Sequence, residues 1–319
     1  MRYWPIRFLV LAALAVVALL NSDTPGEAAG MTFTVKVAGD QVDTNPGDGV
    51  CEHRINGDIV IIIPCTLRAA IMESNAHAGV DTIAFNMLVP GINTISPASP
   101  LPPISDSVTI DGTTQPPGSA QCGVLVRPCI LISGAGAGAS HGLEVLAGNT
   151  TIRGLAIYGF NGHGIELVDG PNNTIAGNFI GTSDGVTDNG NPGTGVHVSS
   201  SDNTIGGTVA ADRNVISGNQ YGVYVTGASA GNQVLGNYIG TTANGLGGLG
   251  NRYGIVFGPS TNTAIGGTTG TTPGGACTGA CNVISGSEQA GILLGSSGTG
   301  VVIRGNYIGT NATGTGAIP

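Results

Sequence analysis

Charge is scarce in this sequence. Of 319 residues, 10 are Lys or Arg and 19 are Asp or Glu, a net charge of −9. Lys36 is the single lysine. Neutralising phosphates takes clustered Lys and Arg, so nucleic-acid binding is excluded. Aromatics are also few, at 4%, and the one Trp is Trp4. Propeller blades need longer strands and aromatic signatures, which leaves a propeller or β-sandwich as the lesser alternative. Low charge does not mean disorder here, because 41% of the residues are hydrophobic and disordered chains are polar and charged.

Glycine is what the chain has in excess, at 56 residues. Each glycine inside a helix costs roughly 1 kcal/mol relative to alanine, which excludes a mainly helical protein. The glycines follow no strict three-residue period, which excludes collagen. A turn-rich β architecture of one or two domains remains.

The N-terminus reads as an export signal over residues 1–29. Arg2 and Arg7 precede an apolar run, Phe8 to Leu20, and Ala28, Ala29 and Gly30 offer a cleavage zone. The run is short of the roughly 20 residues that span a bilayer. An uncleaved anchor is the alternative, and no second stretch reaches spanning length. The expected location is secreted or cell-surface. Six cysteines fit that address: Cys51 and Cys65, Cys122 and Cys129, Cys277 and Cys281. Six cysteines allow 15 connectivities, of which proximity favours the three local pairs. A metal site is the weaker idea, since no CxxC occurs and no His lies near Cys277 or Cys281.

A repeat dominates the second half. GNFIGT at Gly177–Thr182 returns as GNYIGT at Gly236–Thr241 and Gly305–Thr310. NTIGGT at Asn203–Thr208 returns as NTAIGGT at Asn262–Thr268, and RNVISG at Arg213–Gly218 as CNVISG at Cys281–Gly286. Offsets of 59 and 60 residues grow to 68 across Cys277 and Cys281, which places a stapled insertion there. A shorter period is nested inside. Glycine followed by alternating apolar residues begins at Gly142, Gly164, Gly195, Gly222, Gly254 and Gly291.

Each such step holds two or three short strands, which cannot bury a face alone but can when stacked on similar neighbours. Steps above 20 residues without helical periodicity predict a parallel β-helix, an all-β solenoid, over residues 89–319. Ile, Val and Leu would stack inward from coil to coil, about 4.8 Å apart. Asn203, Asn232 and Asn262 fall at comparable turns and are expected to form a hydrogen-bonded ladder. The sequence stops within a repeat, so either a fragment or an exposed last coil is expected.

Residues 30–88 differ. Met31–Ala38 alternates as a strand, and Asp58–Ile63 reads as a buried strand. Thr66 to His77 is the one good helix, with Thr66 as N-cap and Gly79 ending it. Asp81–Phe85 returns to β structure. Phe33-Thr34-Val35, the Asp- and Gly-rich loop ending at Cys51, Cys65-Thr66-Leu67-Arg68-Ala69-Ala70-Ile71, Glu73–Ala76 and Asp81–Phe85 resemble the CSLREA domain of bacterial secreted proteins. The downstream repeats resemble the right-handed parallel β-helix proteins of the pectate-lyase-like superfamily, which implies a right-handed single-stranded parallel β-helix here. Thr66 and Ala69 depart from the family's Ser and Glu, so only half of a capping box survives. The helix is expected to cap the N-terminal end of the solenoid, where apolar side chains and strand edges would otherwise be bare. Arg68 is placed to meet a carboxylate.

The second resemblance implies lyases or hydrolases of acidic polysaccharides, which need calcium-holding carboxylates with a basic residue, or paired carboxylates. Gly162-His163-Gly164 is similar to one polygalacturonase element, but no companion motif occurs. His163 shares its repeat slot with His141, Thr194, Tyr221 and Tyr253, which suggests a surface position. Asp184 and Asp188 share a loop, yet the matching loops lack carboxylates, which argues against a repeated calcium site. Arg153, Arg213, Arg252 and Arg304 are scattered, mostly solvated, with one free to face Glu144 or Glu166. No GxSxG, HExxH or P-loop occurs.

No catalytic, cofactor-binding or metal residue is therefore assigned. The expectation is a structural or adhesive module facing an extracellular polysaccharide or surface glycan. A polysaccharide lyase or hydrolase, with calcium in the lyase case, is the alternative. Oligomeric state is left open.

Overall fold

A computed structural model of the chain describes residues 29–57, 59–118, 122–123, 127–271, 274–295 and 298–319. The export-signal reading at residues 1–28 and Asp58 lie outside the described residues.

The described chain winds as a right-handed parallel β-helix. Three parallel sheets form its walls. Sheet I has nine strands, from Thr32–Val35 and Asp81–Phe85 to Val302–Ile303. Sheet II has eight, from Asn93–Ile95 to Tyr307–Ile308. Sheet III has six: Leu143–Val145, Ile165–Leu167, Thr194–Val198, Tyr221–Val225, Tyr253–Phe257 and Ala290–Leu294. These six strands contain or directly follow the six glycines of the nested period. At Gly222 the reason is close approach. An added Cβ would lie 2.5 Å from the Gly254 carbonyl of the next coil and 2.8 Å from Ile239.

Register makes the core a set of rows. In sheet I, Ile83, Ile110, Ile152, Ile175, Ile205, Val234 and Ile265 stack in order. All seven are fully buried, and each such burial contributes roughly 2–3 kcal/mol relative to exposure. At the last coil the rows meet solvent: Ile303 is 40% and Ile308 51% exposed.

The corners are held by asparagine. One ladder runs Asn173–Asn203–Asn232. Asn262 is not in it, a correction to the sequence reading. It stands one residue earlier, at φ 52°, and buried Thr263 fills the ladder slot. Two further ladders run Asn178–Asn214–Asn237–Asn282–Asn306 and Asn191–Asn219–Asn251.

The helix spans Leu67–Ala76, and the Thr66 hydroxyl accepts from the Ala69 amide. Leu67, Ala70 and Ile71 pack into the solenoid core with Phe33 and Val35, closing that end. Arg68 donates to both oxygens of Asp40 at 2.9 Å and to the Ser99 and Pro100 carbonyls. Buried Glu73 accepts from the Gly47 and Gly49 amides and so folds the Asp- and Gly-rich loop onto the helix.

The buried strand read at 58–63 is overturned. Ile61–Pro64 pairs antiparallel with Glu52–Ile55 in an exposed ribbon, with Ile61 54% and Ile62 50% accessible. The Cys51–Cys65 disulfide closes its base, so the apolar run stands off the solenoid instead of entering it. Cys122–Cys129 and Cys277–Cys281 are also bonded, the three local pairs. No helix of the described residues is long and apolar enough to cross a membrane.

Candidate functional site

The outer face of sheet III carries the densest polar and aromatic chemistry among the described residues. Each coil offers two residues, one in mid-strand and one three positions earlier. The mid-strand row is Glu144, Glu166, His197, Tyr224 and Val256. The earlier row is His141, His163, Thr194, Tyr221 and Tyr253, with Thr194, Tyr221 and Tyr253 in direct register.

Stacking turns these rows into one stripe of rings. Ring centres are 4.8 Å apart for His141–His163, 4.6 Å for His163–His197 and 5.6 Å for His197–Tyr224. The stripe continues through Tyr221 to Tyr253, at 5.3 and 5.4 Å. The Arg252 guanidinium lies 5.7 Å from the Tyr253 ring centre. The His141–His163 and Tyr221–Tyr253 pairs are stacked, one coil apart, and the His163–His197, His197–Tyr224 and Tyr221–Tyr224 pairs are tilted, the last within one strand.

Hydrogen bonds set the protonation of the histidines. His141 Nδ1 accepts from the His163 amide, and one coil on, His163 Nδ1 accepts from the Thr194 amide, both at 2.9 Å. A nitrogen that accepts carries no proton, so both neutral rings hold theirs on Nε2. His141 Nε2 lies 3.1 Å from one oxygen of Glu166, and His197 Nδ1 lies 3.0 Å from the other. His197 Nε2 meets the Thr226 hydroxyl at 3.0 Å. Burial, then the neighbouring His197 and His141, lower the His163 pKa from 6.5 to about 4, against a smaller opposing effect of Glu166. His163 is thus a half-buried neutral ring rather than a free surface residue.

His141, His163 and Glu166 lie close enough to suggest a metal site, with ligand atoms within 4.8 Å of one another. The donor set does not fit one. A ligating histidine normally donates its second N–H to a carbonyl or carboxylate. Here both Nδ1 atoms accept from backbone amides, so the Nε2 lone pairs are occupied by protons.

The other sequence candidates disperse. The Asp184 carboxylate is taken up by its own loop. Burial opposes its ionisation, but hydrogen bonds from Val186 and Thr187 and the charge of Arg127 outweigh burial and lower its pKa. Asp188 accepts from Gly190. Arg153 faces Asp111 at 3.8 Å, not Glu144 or Glu166. Arg213 lies over the Tyr238 ring, 4.1 Å from its centre.

Residues 120–239 match the family model described as right handed beta helix region. The match takes in the stripe from His141 to Tyr224. No curated protein matches the chain. The sequence places His163 in one repeat slot with His141, Tyr221 and Tyr253. The stacking register adds His197 and Tyr224, which stand in the mid-strand row.

Proposed function

We propose that the chain is a secreted or surface-exposed β-helix module that lies against an extended polysaccharide, with a structural or adhesive role. In this reading residues 1–29 export the chain, residues 30–88 form a CSLREA-like cap, and residues 89–319 are the pectate-lyase-like solenoid. Three disulfides are compatible with an extracytoplasmic location.

One observation carries the proposal: the stripe from His141 to Tyr253 is continuous across five coils. It sets imidazole and phenol rings on successive coils, about 4.8 Å apart. A polymer of hydroxyl-bearing rings can satisfy such a row without distortion, and the preorganised rings lose little entropy on binding. Glu144 and Glu166 make the row acidic, which favours a neutral glycan over a polyuronide.

The alternative is a lyase or hydrolase of acidic glycans on the same fold, to which the adjacent carboxylates of Glu144 and Glu166 lend what support there is. The test is retention on insoluble cellulose and chitin, with pectate in solution, with and without calcium. Saturable retention on a neutral glycan is expected. It should weaken about tenfold or more in His163→Ala/Tyr221→Ala/Tyr253→Ala, a loss typical of central aromatic contacts. Retention on neither matrix, or retention unchanged in the variant, overturns the proposal. Release of unsaturated oligosaccharides from pectate selects the alternative.

A further inference from the structure

A second site lies on another wall of the solenoid, against the outer face of sheet II. It is a cavity of about 250 Å³. Its floor is made where successive coils turn from sheet I into sheet II. Gly154 and Gly177 occupy those turns at φ 69° and 67°, where an added Cβ would meet Thr113 and the Ala211 carbonyl at 2.6 Å, so the floor is close-packed backbone. Phe179 and Ala243 supply apolar walls. Arg127 and Arg213 also line it, and among the described residues no carboxylate does.

Two arginines lining one cavity are unusual in a chain of net charge −9. Neither is matched by a carboxylate hydrogen bond among the described residues. Arg127 Nη2 donates to the Ser183 carbonyl at 3.0 Å, while its Nε is buried without a partner. Asp184 lies within electrostatic reach of Arg127, but its oxygens accept from Val186 and Thr187. Arg213 is held by the Tyr238 ring and by its Nε donating to the Gly236 carbonyl at 3.2 Å. Arginine stays charged at any pH the fold tolerates. Charge in an apolar setting is costly without a counter-charge, and a buried N–H without an acceptor adds to that cost.

We propose that this cavity binds a small organic anion. A carboxylate or comparable oxyanion would pair with Arg127 and Arg213, and a compact apolar body would sit on Gly154, Gly177 and Phe179. The site lies on a different sheet from the ring stripe, so the two readings stand or fall separately.

The experiment uses the full chain with benzoate as the probe, followed by NMR shift changes. Benzamide serves as the uncharged isostere and inorganic sulfate as the bare oxyanion. Saturable binding of benzoate is expected, with benzamide and sulfate each weaker by about tenfold or more, the factor one charge-assisted hydrogen bond supplies. Arg127→Met should abolish the preference for benzoate over benzamide. Ala243→Phe fills the cavity and leaves both arginines, so it should remove benzoate binding while the thermal transition persists. No saturable binding of benzoate, equal binding of benzamide, or equal binding by the Ala243→Phe chain overturns the proposal. Sulfate binding as tight as benzoate removes the organic part of it.

Discussion

His163 takes its character from one backbone bond. Its Nδ1 is committed to the Thr194 amide, so a second proton on the ring would face an N–H donor. The sign of the pH effect follows. The unfolded ring takes up a proton near 6.5, whereas the folded one waits until about 4. Between those values the unfolded state holds more protons, so stability is full above pH 6.5 and falls as pH drops toward 4. The loss is about 3 kcal/mol at most, and less in so far as water reaches the ring edge. His163→Phe should be less stable at neutral pH, because the Thr194 amide loses its acceptor, but flatter between pH 4.5 and 7.5. Urea midpoints of both chains at the two pH values check this. A parallel pH slope in the two chains would assign the effect to other histidines.

At the scale of elements, the asparagine ladders do for the corners what isoleucine rows do for the walls. Asn214 is fully buried. Its Oδ1 accepts from the Asn178 amide and side chain, and its Nδ2 donates to the Ile175 carbonyl and Asn237 Oδ1. Asn214→Ala should therefore cost about 3 kcal/mol, since several buried groups lose partners at once. Asn306→Ala, at the half-buried end of the same ladder, should cost about 1 kcal/mol. Urea unfolding with an unchanged slope measures both. Equal costs would mean that the ladder is not a cooperative element.

The sequence made much of this scale legible and hid a particular part of it. Strand starts were visible because glycine is required wherever a coil touches the next, as at Gly222. The helix was visible through Thr66, and the disulfides through proximity. The ladder slot of Asn262 was misread because Asn262 and Thr263 are adjacent, and only register tells the turn residue from the ladder residue. The 58–63 run was misread because a continuous apolar run does not say whether it is buried. The ring stripe was legible in part: the slot of His141, His163, Tyr221 and Tyr253 shows as a repeat, but His197 and Tyr224 stand three positions after that slot, and only register shows that their rings join it.

For the whole molecule, a solenoid implies that each coil answers only to its neighbours. This predicts that a coil can be removed if the cut respects register. Deleting residues 203–231 joins Asp202 to Asn232. Asn232 then takes the place of Asn203 under Asn173, Asn237 that of Asn214, and Asn251 that of Asn219, because these residues already occupy equivalent rungs. The interior rows close in the same way, with Val234 under Ile175 and Ile239 under Ile180. The shortened chain should fold with the same circular dichroism per residue and one cooperative transition, its Tm lower by only about 5 °C. Deleting residues 203–217 instead joins Asp202 to Gly218 and skips a strand of sheet I and one of sheet II. That chain should fail to fold, since the strand that follows would meet the wrong wall. The same cut bears on function. Removal of 203–231 takes out Tyr221 and Tyr224 and brings Tyr253 next to Thr194. A folded chain with weakened glycan retention would separate the role of the stripe from that of the scaffold, and retention at full strength would place binding elsewhere on the solenoid.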